Sequence, residues 1–239
     1  MSLRPIYLLA DSQLLSWRDA DGLLLLDSSK TGVEAASAKA SYLGASNGDD
    51  PAYYSIFEAA MDMLGIKHRR MILSSFSTED AEFLAGSEII LLAGGDAVSG
   101  WQTFTENGVR EALMAKYLEG ALLIGVSAGA LQLGLCAYPE EDFSADQLVE
   151  TFKFVPLIIG AHQEKSEWGE LKKAVSLKGE GTNGVGISTG GGAIYHPDGS
   201  LSPVRYPLDM FSFAGQHLSQ SLLLESLDEG LIDATGPEN

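Results

Sequence analysis

Short runs of consecutive aliphatic residues alternate along this chain with segments whose apolar positions recur at helical spacing. Residues 5–10, 88–93 and 121–125 are such runs. A run with no polar face is a strand buried on both sides, and its alternation with helices predicts a mostly parallel sheet covered on both faces. Residues 41–45 and 71–74 read as two further strands, the first because the turn formers Ser46-Asn-Gly-Asp-Asp-Pro51 crowd behind it. Residues 23–26 read either as a short strand or as the apolar end of a turn. Helices are expected over the alanine-rich stretch 33–40, over 53–64, in a short piece capped by Thr78, and over 108–118, 167–176 and 219–227. The 53–64 helix carries Ile56, Ala60, Met63 and Leu64 on one side and Gly65 as its stop. Residues 139–146 read as an exposed acidic loop. Residues 154–159 read as a strand, with His162 just beyond its end.

The last third is different in kind. Residues 185–187, 192–196 and 203–206 are short strand-like pieces separated by glycines and a Pro-Asp-Gly turn, as in antiparallel strands at a sheet edge. The expected architecture is one α/β domain spanning 1–239, a three-layer sandwich with short antiparallel edge strands near the C-terminus. Its 239 residues can close a single sizeable core.

Charge narrows the function. Fifteen basic residues against 33 acidic ones give a formal charge of −18, which repels nucleic-acid phosphates and anionic membranes. A cationic or neutral small substrate suits that field better. No run approaches the roughly 18 apolar residues of a membrane span, and the N-terminus lacks a signal-peptide pattern. A cytoplasmic location is the default. Cys136 is the single cysteine, so no internal disulfide can form, and its apolar neighbours read as packing. The histidines are scattered and Gly190-Gly-Gly192 lacks the spacing of a nucleotide-binding loop, so neither metal nor cofactor is expected. A homodimer is left open.

The pattern that carries chemistry is Gly125-Val-Ser-Ala-Gly129, set between a buried strand and an apolar helix. Glycines at those places let the chain turn sharply and the helix approach the strand, so that the Ser127 hydroxyl projects into a cleft. The helix start behind it offers unpaired N–H groups where an oxyanion would develop. Parallel strands present their C-terminal ends to one crevice, so the N–H of Gly95, in the turn after residues 88–93, can pair with that of Ala128 as an oxyanion hole. A serine of ordinary pKa needs a base. Of the four histidines, His68 sits in a basic patch, His196 beside a hairpin turn, and His217 in no recognisable setting; His162 follows a buried strand and is the best candidate. Glu164 shares a side with His162 if the backbone there is extended, which makes it a candidate third group. Glu140 and Asp142 are its rivals.

These motifs together resemble the S51 serine peptidases, which include dipeptidase E and cyanophycinase, within the class I glutamine amidotransferase-like fold. The likeness runs from about residue 41 to 195. It rests on Tyr42-Leu-Gly-Ala-Ser46, Leu92-Ala-Gly-Gly-Asp96, Gly125-Val-Ser-Ala-Gly-Ala130, Ile159-Gly-Ala-His162 and Gly184-Val-Gly-Ile187 leading into Gly192-Ala-Ile-Tyr195. The resemblance implies a flavodoxin-like central sheet, Ser127 as nucleophile, His162 as base and Gly95 with Ala128 as oxyanion donors. It favours Glu164 as the acid and points to Asp96 and Gln163 as substrate-binding residues. It implies cleavage of a dipeptide or Asp-linked peptide through an acyl-enzyme. Two departures stand out. The arginines that members commonly carry after the histidine are replaced by Gln163-Glu-Lys-Ser-Glu-Trp-Gly-Glu170, and Ser188-Thr189 stands where cyanophycinase-like members have Asp-Glu. Two other readings remain: an esterase of α/β-hydrolase type, which would use Asp209 and His217, and a non-catalytic binding protein on the same scaffold.

Overall fold

The computed structural model describes residues 3–139 and 143–224. Its strands are β1 (Ile6–Leu9), β2 (Lys39–Leu43), β3 (His68–Ile72), β4 (Ile89–Leu92), β5 (Leu122–Val126), β6 (Cys136–Ala137), β7 (Val149–Glu150), β8 (Ile158–Ala161), β9 (Asn183–Ile187), β10 (Gly192–Tyr195), β11 (Leu201–Val204), β12 (Leu208–Ala214) and β13 (His217–Leu223). The helices are α1 (Ser28–Thr31), α2 (Pro51–Met63), α3 (Thr78–Ala85), α4 (Ala97–Glu106), α5 (Val109–Leu118), α6 (Ala128–Leu133) and α7 (Gly169–Lys178). The main sheet runs β11-β10-β1-β5-β4-β2-β3; β1 to β5 are mutually parallel and β10 and β11 form its antiparallel edge.

Alternation within the all-apolar strands builds both faces of the core. Ile6, Leu8, Ile90, Leu92 and Leu123 point to the layer containing α3, α4, α5 and α6, while Tyr7, Leu9, Ile89, Leu91, Leu122 and Ile124 point to the layer of α2 and residues 14–33. This is the three-layer α/β sandwich expected. Below it, β8, β9, β12 and β13 form a second sheet, in which β9 lies parallel to β8 and antiparallel to β12. The C-terminal strand pieces therefore divide between two sheets, with only β10 and β11 on the main one.

Tertiary pairing overrides local propensity in three places. The alanine-rich 33–40 stretch is a turn that runs into β2, because Ala38 and Ala40 are fully buried and Lys39 begins a ladder against β3. Residues 219–223 of the expected last helix belong instead to β13, bonded along its whole length to β12; residues 225–227 lie outside the described part. Residues 154–157 precede β8, so that strand starts later and ends at Ala161. Residues 23–26 make a turn carrying a single bridge, Leu24 with Arg18. Helix α2 buries Phe57, Ala60 and Met61 and leaves Ile56 and Met63 exposed, a stripe rotated from the expected one. The 139–146 segment is not all surface: Phe143 is buried against Tyr138. Cys136 is packed in the core, and burial pushes its thiol up to about 11. No helix among the described residues is long and apolar enough to cross a membrane.

One buried charge anchors the far edge of the sheet. Asp80 accepts from Ser77 Oγ at 2.8 Å and Ser77 N at 3.1 Å, closing a capping box, and pairs with Arg70 Nε at 2.8 Å. Burial raises the Asp80 carboxyl, but the Ser77 and Arg70 contacts outweigh it and hold it below the ordinary range. Its stabilisation is therefore present above the unfolded carboxylate pKa and is lost as pH falls through the lower, folded value. Asp80→Asn should destabilise the fold by about 1–3 kcal/mol at neutral pH, and by less in acid, as read by denaturant titration at both pH values.

Candidate active site

Strand β5 delivers Ser127 to the crevice, and its neighbours fix it there. The Ser127 N–H donates to Leu9 O at 2.8 Å, extending the β1–β5 ladder by one residue. The chain then breaks sharply: Ser127 has φ 50° and ψ −111°. Its carbonyl accepts from Ala130 N at 2.8 Å and Leu131 N at 3.2 Å, which opens α6. The turn is this tight only because side chains are missing on either side. A Cβ on Gly129 would stand 2.2 Å from Leu92 O, so α6 lies directly on the end of β4.

His162 arrives from the second sheet. Its N–H donates to Ile187 O at 2.9 Å, its φ is 47°, and its Nε2 lies 2.8 Å from Ser127 Oγ. That distance is within hydrogen-bond reach for proton transfer between a nucleophile and a base. His68 is exposed on edge strand β3, and His196 Nε2 lies 2.9 Å from Ser202 Oγ. His217 and Asp209 lie on the β12–β13 hairpin, where Asp209 accepts from Gln220 Nε2 at 2.8 Å. Neither lines a cavity with Ser127. The chain order of an α/β-hydrolase is therefore not the one assembled here.

Gly95, at φ 130°, occupies the turn after β4. A Cβ there would stand 2.0 Å from Ser46 O, which itself accepts from Asp96 N at 2.7 Å. The N–H groups of Gly95 and Ala128 donate to no described residue. Buried Gln132 ties this region together, donating from Nε2 to Ser46 Oγ at 3.0 Å and Ala97 O at 2.9 Å.

Glu164 is placed differently from the geometry expected. His162 is in the left-handed region and residues 164–166 form a 3-10 turn, so the extended backbone needed to align the two side chains is absent. The carboxylate turns to Thr189, accepting from its Oγ1 at 2.7 Å and its N–H at 3.4 Å. No described residue makes a hydrogen bond to His162 Nδ1. Burial raises the Glu164 carboxyl, but the Thr189 bonds and the neighbouring His162 together hold it below the usual range. No hydrogen bond joins Glu164 to His162. Glu140 and Asp142, the rival acids, lie outside the described residues.

Two cavities meet at Gly95, Ser127 and His162. One, of about 250 Å³, reaches toward α2; the other, of about 620 Å³, opens along the first turn of α4 and is also lined by Ala128. Asp96 and Gln163 both line the larger. Each is also tied to the protein: Asp96 Oδ1 caps α4 by accepting from Val98 N and Ser99 N, each at 2.9 Å, and Gln163 Oε1 accepts from Leu171 N at 3.2 Å. Asp11, Tyr42 and Asn47 line the smaller cavity and were not anticipated, although Asp11 follows the C-terminal end of a parallel strand, where crevice residues gather. Thr189 was marked only as a departure from an acidic pair.

Comparison with known proteins gives two kinds of likeness. The sequence profile of peptidase family S51 matches residues 33–200. The crystal structure of a peptidase from an acI-B1 Actinobacterium superposes with a TM-score of 0.67 at 16% identity, covering 94% of this chain and 96% of the other. A candidate peptidase E protein from Listeria monocytogenes EGD-e superposes with a TM-score of 0.59, also at 16% identity, covering 93% of this chain and 100% of the other. At that identity the likeness is one of fold alone. No curated protein sequence matches the chain.

Proposed function

The chain belongs to peptidase family S51, and from that premise we propose that it hydrolyses the amide bond of a small peptide-like substrate through an acyl-enzyme on Ser127. The 2.8 Å approach of Ser127 Oγ to His162 Nε2, at the junction of two cavities, carries this reading. Ser127 Oγ attacks the carbonyl carbon while its proton passes to His162 Nε2. The N–H groups of Gly95 and Ala128 receive the oxyanion. The C–N bond breaks as His162 returns the proton to the leaving amine. Water then loses a proton to His162, attacks the ester carbonyl, and Ser127 leaves with that proton. Glu164, held by its bonds to Thr189, is the acid of the centre.

The reading is tested by treating the protein with a fluorophosphonate and mapping the adduct by peptide mass spectrometry. Modification at Ser127 is expected; an unmodified Ser127 sinks the hydrolase reading and leaves a binding protein on this scaffold. Thr189→Val probes the acid. Without that donor the Glu164 carboxylate loses the bonds that hold it in place, so kcat/KM should fall several-fold while fluorophosphonate still labels Ser127. An unchanged kcat/KM would remove Glu164 from the mechanism.

A further inference from the structure

The two cavities differ in what their walls offer a substrate. The smaller is built from Leu15, Tyr42, Phe57 and Val126, all buried, with Ile56 and Tyr53 at its rim. Much of its polar complement is already spent on the protein. Asn47 donates to Tyr42 Oη at 2.8 Å and accepts from Asp50 N at 3.2 Å. The two oxygens of Asp11 accept from Gln13 N at 2.8 Å and Gly190 N at 2.7 Å. No lysine or arginine is among the described residues that line either cavity. Arg69 pairs with Asp62 and Glu58, Arg70 with Asp80 and Glu79, and Arg205, behind the Gly190 peptide that bonds Asp11, donates to Gly190 O and lies over the Tyr206 ring.

Charge decides what such a wall accepts. A carboxylate side chain entering the smaller cavity would shed water, find no cation, and face the negative charge of Asp11. An apolar or aromatic side chain would exchange water for Leu15, Phe57 and Tyr42 and leave the bonds of Asp11, Tyr42 and Asn47 in place. Asp11 would at the same time attract a free ammonium on the same residue.

Resting on the acyl-enzyme reading above, we infer that the smaller cavity receives the residue whose carbonyl Ser127 attacks, and that this residue bears an uncharged apolar or aromatic side chain, not an acidic one. The substrate class is then a small peptide or amide with an apolar residue on the acyl side of the scissile bond. The larger cavity takes the leaving portion.

The test measures protection of Ser127 from fluorophosphonate by α-aminoboronic acids with leucine, phenylalanine or aspartate side chains. In the protected complex Ser127 Oγ bonds to boron, its O–H bond breaks as the proton passes to His162 Nε2, and the boronate becomes tetrahedral and anionic; no group leaves boron. The leucine and phenylalanine analogues should protect at concentrations at least about tenfold lower than the aspartate analogue. Ile56→Arg, at a rim position that is 43% exposed, should narrow or reverse that ratio. Labelling with equal or better protection by the aspartate analogue, or with protection by none of the three, overturns the inference and leaves the hydrolase standing. A ratio unmoved by Ile56→Arg overturns the assignment to the smaller cavity. Failure of the fluorophosphonate to modify Ser127 overturns the hydrolase reading, and the inference falls with it.

Discussion

Ser127→Ala is expected to abolish fluorophosphonate labelling and to lower amide hydrolysis by on the order of 10⁴–10⁶-fold, while the protein still folds. On the proposed acyl-enzyme route the Ser127 oxygen is the atom that bonds to substrate, which makes the expected loss large; no other group stands at hydrogen-bond distance from His162 Nε2 among the described residues. His162→Ala should cost a comparable factor, and the double variant little more than either alone, since nucleophile and base act as one unit. Stability separates this from misfolding. Ser127 holds φ 50° and ψ −111°, which a side chain rarely adopts. Alanine keeps that strain, whereas Ser127→Gly should relieve part of it and raise unfolding free energy by about 1 kcal/mol or more. An inactive glycine variant more stable than wild type would show strain held at the reactive residue for function; a less stable one would mean that the serine side chain supports the turn.

The main sheet was legible in the chain because its strands are aliphatic on both faces, a pattern that only burial between two layers explains. The elbow was legible for a related reason: glycine is required where a Cβ would meet Leu92 O, and that requirement appears directly as a residue type. Helix α4 is absent from the expected elements, its first turn carrying Ser99 and Gly100, weak helix formers. Its cap, Asp96 accepting from Val98 N and Ser99 N, is visible only once the helix exists. The environment of Glu164 was hidden more deeply. Its position relative to His162 depends on the left-handed backbone of His162 itself, on the 3-10 turn at 164–166, and on Thr189, supplied by a segment far away in the chain. Spacing of two residues defines a shared side only in extended backbone, and local sequence does not announce the break. The split of the C-terminal strands into two sheets was likewise a matter of partners, since β9 and β10 have similar composition and pair with different neighbours.

Gly95→Ala should also produce a large loss, by a route that leaves both Ser127 and His162 in place. The added Cβ would lie 2.0 Å from Ser46 O and 2.5 Å from Ser46 C, backbone atoms with no flexible end to swing aside. The φ of 130° is unfavourable for alanine as well. Either the 44–48 loop moves, breaking the Asp96 N to Ser46 O bond and the Gln132 contact to Ser46, or the Gly95 peptide rotates. In both cases the Gly95 N–H leaves the place where an oxyanion would form. Removal of one such donor costs about 10²–10³ in kcat, with KM changed little because the charge it meets develops only in the transition state. Fluorophosphonate labelling should slow but persist, since Ser127 and His162 remain. Backbone strain alone is controlled by Gly48→Ala: Gly48 has φ 71° but open space around the added carbon. That variant should lose about 1 kcal/mol of stability and keep its turnover. Equal kcat values for the two variants would show that Gly95 serves the turn and not the oxyanion, and the second donor would then have to be sought elsewhere along the crevice.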